Sequence, residues 1–221
     1  MCYAFCMELR RANKIAETLE QLVFSGEYRN GERLDEHKLA EYFRVSRTPI
    51  REALQVLVSS GMAEQIPRRG VFVRQPGPVE LMEMFETMAE LEAACGRFAA
   101  TRISDAGLQQ LVDANQNCLQ AIEEQDHDRY YAENEVFHQV IYKGSANNYL
   151  EKQALQLQNR LKPYRRIQLR FRGRLVQSMA EHESIVAALQ DGDAEKASDA
   201  LRRHVAVQGE KFHQLMASLN K

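Results

Sequence analysis

A chain of 221 residues with 44% hydrophobic and 27% charged residues can bury a real core as one or two domains. No run approaches the roughly 20 apolar residues that span a bilayer, and residues 1–11 lack a basic region followed by a long apolar stretch, so neither a membrane span nor a secretory leader is expected, and the cytoplasm is the expected compartment. The net charge of −2 argues against a uniformly basic nucleic-acid binder, but residues 1–78 hold 12 Lys and Arg against 10 Asp and Glu, while residues 79–221 hold 17 against 21, so any such binding belongs to the first third.

The elements follow in chain order. Ile15, Leu19, Leu22 and Val23 recur at helical spacing. Ser25-Gly26 and Asn30-Gly31 break that helix. Asp35 is a natural N-cap for a short helix to Tyr42 that turns Leu39 and Ala40 inward. Phe43-Arg44-Val45 is a tight connection to a second helix, capped by Ser46 or Thr48. That helix tolerates Pro49 because first-turn N–H groups have no intrahelical partner, and it ends near Ser60-Gly61. Residues 63–66 and 71–73 are short extended runs joined by Pro67-Arg68-Arg69-Gly70, a hairpin with a basic tip.

Gln75-Pro76-Gly77-Pro78 stops both helix and strand. The expected division is a first domain of helices and a small hairpin over 1–74, a linker over 75–78 and a helical domain over 79–221. Leu81, Met84, Phe85, Met88, Leu91, Cys95 and Phe98 define the first long helix of the second part. Further helices are expected from Ser104-Asp105 to about Glu124, from Asp126 to about Tyr142, from near Tyr149 past Arg160, over 175–190 and over 194–218. The last two are joined by Asp191-Gly192-Asp193 and lie antiparallel. The expected fold is mainly α, an N-terminal winged helix-turn-helix followed by a C-terminal all-α bundle. Cys2, Cys6, Cys95 and Cys118 form no C-x-x-C pair and no zinc-finger spacing, and read as free thiols.

Residues 35–61 follow the helix-turn-helix plan, in which the second helix enters the major groove by its N-terminal end. Ile50, Ala53, Leu54 and Leu57 fall on one face of that helix, and Thr48, Arg51 and Gln55 on the other. Arg47 stands at the tip. An arginine fork there meets guanine O6 and N7 together, and the hydroxyls of Ser46 and Thr48 suit phosphate oxygens. Arg68 and Arg69 would reach the flanking minor groove or backbone, with Gly70 closing the turn. Arginines on a solvated helix face are the plainer reading of the same residues.

In the second part, His182 and His204 flank the turn at 191–193 at distances of roughly 14 and 17 Å along their helices, so their rings fall at about one level. Asn134 and His138, four apart, project from one helix face. Three imidazoles and one oxygen would make a first-row metal site with open positions. The competing reading is hydrogen-bonded core histidines.

Gly31-Glu32-Arg33-Leu34, the run from Leu39 through Leu54 and the wing Arg69-Gly70-Val71-Phe72-Val73 together closely resemble the signature of GntR-family transcription regulators over about residues 15–74. The resemblance implies a double-stranded DNA partner. It implies contacts at Arg47, Arg51, Ser46, Thr48 and Gly70, support for the phosphate contacts from Arg33, and a contact at His37 where several members carry a basic residue. Phe137-His138, Glu181-His182-Glu183-Ser184-Ile185, residues 192–197 and His204-Val205 resemble the helical ligand-binding domain of the FadR-type branch, the FCD domain. That resemblance implies a divalent metal, zinc or alternatively nickel or manganese, on His138, His182 and His204. The fourth ligand position, an aspartate in many members, falls on Asn134, which is neutral and a weaker ligand. Met88 stands where many members carry an arginine. The implied protein is a homodimeric repressor, not an enzyme, that reads an inverted-repeat operator and responds to a small carboxylate metabolite. A regulator answering to the metal itself is the alternative. A metal-dependent hydrolase is a third reading, against which H-E-x-x-H is lacking because residue 186 is Val.

Overall fold

The computed structural model describes residues 2–206 and 216–217, with side chains from residue 11 onward. The chain forms two compact units, Met1–Gly77 and Pro78–Lys221.

The first unit opens with α1 (Cys2–Phe24), followed by β1 (Arg33–Leu34), α2 (Glu36–Phe43), α3 (Arg47–Ser59), β2 (Ala63–Ile66) and β3 (Gly70–Val73). The α1 stripe of Ala12, Ile15, Ala16, Leu19 and Val23 is buried, and α1 packs on α3 through Ile50, Ala53, Leu54 and Leu57. Each large aliphatic chain in this core contributes about 1.5–3 kcal/mol by leaving water. The Asp35 carboxylate caps α2 by accepting from the N–H groups of His37 and Lys38. Arg44 closes α2 in the left-handed region at φ 53°, the single residue that lets α3 start so soon afterwards.

β2 and β3 form the expected hairpin, with Ala63 opposite Val73 and Ile66 opposite Gly70. β1 lies on the other edge of β3, Arg33 opposite Phe72 and Leu34 opposite Val71, so the sheet order is β1-β3-β2. This third strand went unforeseen. Two residues carry no alternation to detect, and β1 exists only because β3, far along the chain, offers an edge.

The second unit consists of α4 (Pro78–Arg102), α5 (Asp105–Glu123), α6 (His127–Gly144), α7 (Asn148–Leu169), α8 (Arg174–Gln190) and α9 (Ala194–Val205). Four of these starts carry side-chain caps: Ser104 to the Gly107 N–H, Asp126 to Arg129, Asn147 to Leu150 and Asp193 to Lys196. Each cap contributes about 1 kcal/mol. α4 packs against α6, α7 and α9, which is why it is buried on more than one side. At Gly96, α4 and α9 touch so closely that a Cβ would lie 2.2 Å from Leu201 Cδ1 and 3.2 Å from the Ala197 carbonyl. α5 pairs with α6.

On α4, Leu91 and Phe98 are half-buried, and Glu92 is fully buried along with Leu81, Met88 and Cys95. Of the helix expected over 194–218, α9 covers 194–205 and breaks at Ala206, where ψ is 122°; 216–217 are helical again, and the other residues beyond 206 lie outside the described residues. Cys95 and Cys118 are separate buried thiols, each pushed up to about 12 by burial. The Cys2 and Cys6 side chains lie outside the described residues.

Candidate nucleic-acid interface and candidate metal centre

In the first unit the α2–α3 connection sets the geometry. Ser46 is the N-cap of α3 by position, yet its hydroxyl makes no capping bond, and Thr48 lies within the first turn rather than at the cap. Arg47, Thr48 and Arg51 are exposed. An open depression is lined by His37, Ser46 and Arg47 together with Arg11 and Arg44, two cations the sequence reasoning did not single out. His37 lies 3.3 Å from Glu41 on the outer face of α2. Arg51 is held from the neighbouring helix, its Nε donating to Glu36 Oε2 at 2.7 Å. Gln55, one turn further, donates to Gln65 of β2 at 3.1 Å.

On the wing, Gly70 has φ +111°, a conformation side-chain-bearing residues rarely adopt. A Cβ there would lie 3.2 Å from Arg33 Nε, so Arg33 is laid against the wing turn. Arg69 stands 5.6 Å over the Phe72 ring. The expected DNA-contacting residues thus fall in three local groups: His37, Ser46 and Arg47 at the depression, Thr48 and Arg51 on the exposed α3 face, and Arg33, Arg69 and Gly70 at the wing. The basic groups are solvent-facing and the apolar face of α3 is buried, which is the division of labour a groove-reading helix requires.

In the second unit α6, α8 and α9 bring three histidines together. His138, His182 and His204 are all buried, and one ring nitrogen of each lies within 4.8 Å of the others. His138 Nδ1 donates to Glu92 Oε2 at 2.6 Å and His204 Nδ1 donates to Glu181 Oε2 at 2.7 Å. Those two bonds leave each Nε2 as a lone pair, and the two Nε2 atoms face each other at 3.2 Å. Two nitrogens on one tetrahedral zinc, each at about 2.0–2.1 Å, would be about 3.3 Å apart. His182 stacks on Phe137 at 3.9 Å, and among the described residues neither of its buried ring nitrogens has a hydrogen-bond partner. A buried unsatisfied polar group costs about 1–3 kcal/mol.

The carboxylates are themselves anchored. Glu92 Oε1 accepts from Tyr142 at 2.8 Å and from Arg165 at 3.0 Å. Glu181 accepts from Arg174 at 2.9 Å and from Gln177 at 2.8 Å. Burial works to raise the Glu92 carboxyl, but the His138 ring and the Arg165 guanidinium outweigh it and hold it at about 2. Burial likewise opposes ionisation of Glu181, and His204 and Arg174 overcome it. Burial lowers all three histidines, His204 to about 4. The result is three neutral imidazoles backed by ionised carboxylates, the protonation state a metal needs of its ligands. The donor set therefore fits a divalent ion.

Asn134, one turn before His138, lines a small polar cavity with Arg165, Gln168, Arg174, Ser178 and His204. Arg165 Nη2 also reaches His138 Nε2 at 3.0 Å, the same lone pair an ion would use. Glu92 and Arg165 were missed from sequence. The available signal was a charge inside an apolar stripe: Glu92 follows Met88 by four, and Arg165 follows Leu161 by four.

Comparison with known proteins agrees with both halves. The bacterial regulatory proteins of the gntR family match residues 11–73, and the FCD domain matches residues 83–207. The gluconate operon transcriptional repressor of Bacillus licheniformis is 30% identical over 179 residues, covering 78% of this chain and 70% of that one. The transcriptional repressor GlaR of Escherichia coli is 25% identical, covering 90% of this chain and 94% of that one. Among solved structures, E. coli McbR/YncC superposes with a TM-score of 0.68 at 25% identity, covering 95% and 97% of the two chains. No helix of the described residues is long and apolar enough to cross a membrane. A winged helix-turn-helix of this family joined to a helical FCD domain makes the chain a member of the GntR family, a DNA-binding transcription regulator and not an enzyme.

Proposed function

We propose that the protein is a cytoplasmic homodimeric repressor whose affinity for an inverted-repeat operator is set by a small carboxylate metabolite bound beside a divalent metal. The ion is zinc, with nickel or manganese as alternatives, on His138, His182, His204 and Asn134. The carrying observation is His182: two buried ring nitrogens with no hydrogen-bond partner among the described residues, beside two imidazoles whose outer nitrogens are fixed by carboxylates. Such a ring is left costly unless something binds it. Two relatives named as repressors support the sign of control.

Arg47 and Arg51 are assigned to base edges, and Ser46, Thr48, Arg33, His37, Arg69 and Gly70 to the backbone and the wing contact. Two copies on a two-fold axis would present two recognition helices to two half-sites. The charged groups around the histidines balance without an ion, Glu92 and Glu181 against Arg165 and Arg174. Asn134 adds no charge. A bound dication therefore leaves the site positive, which suits an anion. The cavity as it stands has room for about one water, so a metabolite must push its lining outward, and that displacement is the differential binding a switch needs.

The test is to select DNA from random pools on the purified protein, then measure affinity for the recovered repeat after chelation, after zinc, and after zinc with a panel of small carboxylic acids. Zinc should raise the melting temperature and one acid should change operator affinity tenfold or more. Full control by zinc alone, with no acid active, would replace this reading by the metal-responsive one. A failure of zinc to bind would remove the metal from both.

A further inference from the structure

We propose that Glu36 is a specificity-determining positioning residue, which holds Arg51 for base reading and suppresses its attraction to phosphate. The inference rests on the assignment of Arg51 to a base edge above. Glu36 is the first residue of α2 and Arg51 lies on the outer face of α3, so the contact joins two helices 15 residues apart in sequence. The bond is made at Nε, 2.7 Å from Glu36 Oε2. That engages the side edge of the guanidinium and leaves the N–H groups of both terminal nitrogens for an end-on fork, the geometry that meets guanine O6 and N7.

Position is half of the effect and charge is the other half. Exposed arginine is flexible, and an arginine tied at one end loses less freedom when it binds. Glu36 also makes Arg51 one half of a neutral pair on a surface facing polyanionic DNA. Phosphate attraction, the part of binding that carries no sequence information, is thereby reduced at this side chain. The hydrogen-bonding fork remains and is rewarded only where base acceptors stand. Gln55, one turn along α3, is likewise held from outside its helix, by Gln65 at 3.1 Å. A plain structural role exists for Glu36, since an acid in the first turn of a helix favours that helix, and the readouts are chosen so that this role would not move them.

The experiment uses the full-length protein with DNA selected by the wild type from random pools. Affinity is measured for the selected repeat, for each single-base-pair variant and for random DNA, over a range of salt. Glu36→Ala should bind random DNA several-fold more tightly with a steeper salt dependence, and discrimination should fall about tenfold at one base pair in each half-site. Glu36→Gln keeps an oxygen that accepts from Nε, so it should keep that discrimination while still gaining on random DNA. Arg51→Ala should lose discrimination at the same base pair, with no further loss on adding Glu36→Ala. If both Glu36 variants leave discrimination unchanged while Arg51→Ala abolishes it, the role assigned to Glu36 is wrong. If Arg51→Ala also leaves it unchanged, the assignment of Arg51 is wrong. Should Glu36→Ala melt early, the Gln variant carries the decision, because unchanged random-DNA binding by it overturns the charge argument.

Discussion

His182 carries two buried nitrogens without a hydrogen-bond partner among the described residues. Replacing it with leucine removes both polar atoms and keeps an apolar body near Phe137. His182→Leu should therefore make the metal-free protein about 1–2 kcal/mol more stable in urea unfolding, while zinc no longer raises its melting temperature. A residue kept for packing would behave oppositely, losing stability and leaving any zinc response intact. Gly70 gives a second residue-scale prediction, at the wing. Its φ of +111° strains any Cβ, and the nearest obstacle is the flexible end of Arg33, which can move. Gly70→Ala should cost about 1–2 kcal/mol from the backbone alone, and it should weaken DNA binding by displacing Arg33. Arg33→Ala should weaken binding without the loss in urea stability, and unfolding curves beside salt-dependent affinities separate the two.

Elements set how precisely these residues meet. α9 brings His204 to the cluster, and its distance from α4 is fixed where Gly96 admits Leu201. Gly96→Ala places a methyl 2.2 Å from Leu201 Cδ1 and 3.2 Å from the Ala197 carbonyl. The leucine tip can turn, but the backbone carbonyl cannot, so α9 must shift. The expected cost is about 1–3 kcal/mol, with weaker zinc binding because His204 moves as well; calorimetric titration of zinc is the check, and unaltered affinity would mean that α9 is positioned elsewhere. These elements were legible in sequence where the signal was local. Asp35, Asp126 and Asp193 announce helix starts because a short carboxylate answers unpaired N–H groups, and the histidine spacing about residues 191–193 foretells that His182 and His204 meet. β1 was not legible, being made by a distant edge. Glu92 and Arg165 were passed over because a charge on an apolar stripe reads as an interruption until its partner on another helix is known. The Glu36–Arg51 pair is of the same kind, since neither residue implies the other without the α2–α3 angle.

For the whole molecule, the proposed switch has to connect an effector site in the second unit to a DNA-reading helix in the first. Thermodynamic linkage makes that connection testable without knowing its path. If an acid changes operator affinity by some factor, the operator must change the affinity for that acid by the same factor, since both describe one closed cycle of binding equilibria. Calorimetry of the acid into zinc-loaded protein, alone and saturated with the selected DNA, should therefore reproduce the factor found by titrating DNA with and without the acid. Arg47→Ala/Arg51→Ala removes the DNA arm, so its affinity for the acid should match that of the free wild type and should not respond to added DNA. Equal factors in the wild type, lost in the double variant, would mean that both ligands bias one conformational equilibrium. Unequal factors would mean that acid and DNA meet by another route, such as a change in dimerisation, and the dependence on protein concentration would then reveal it.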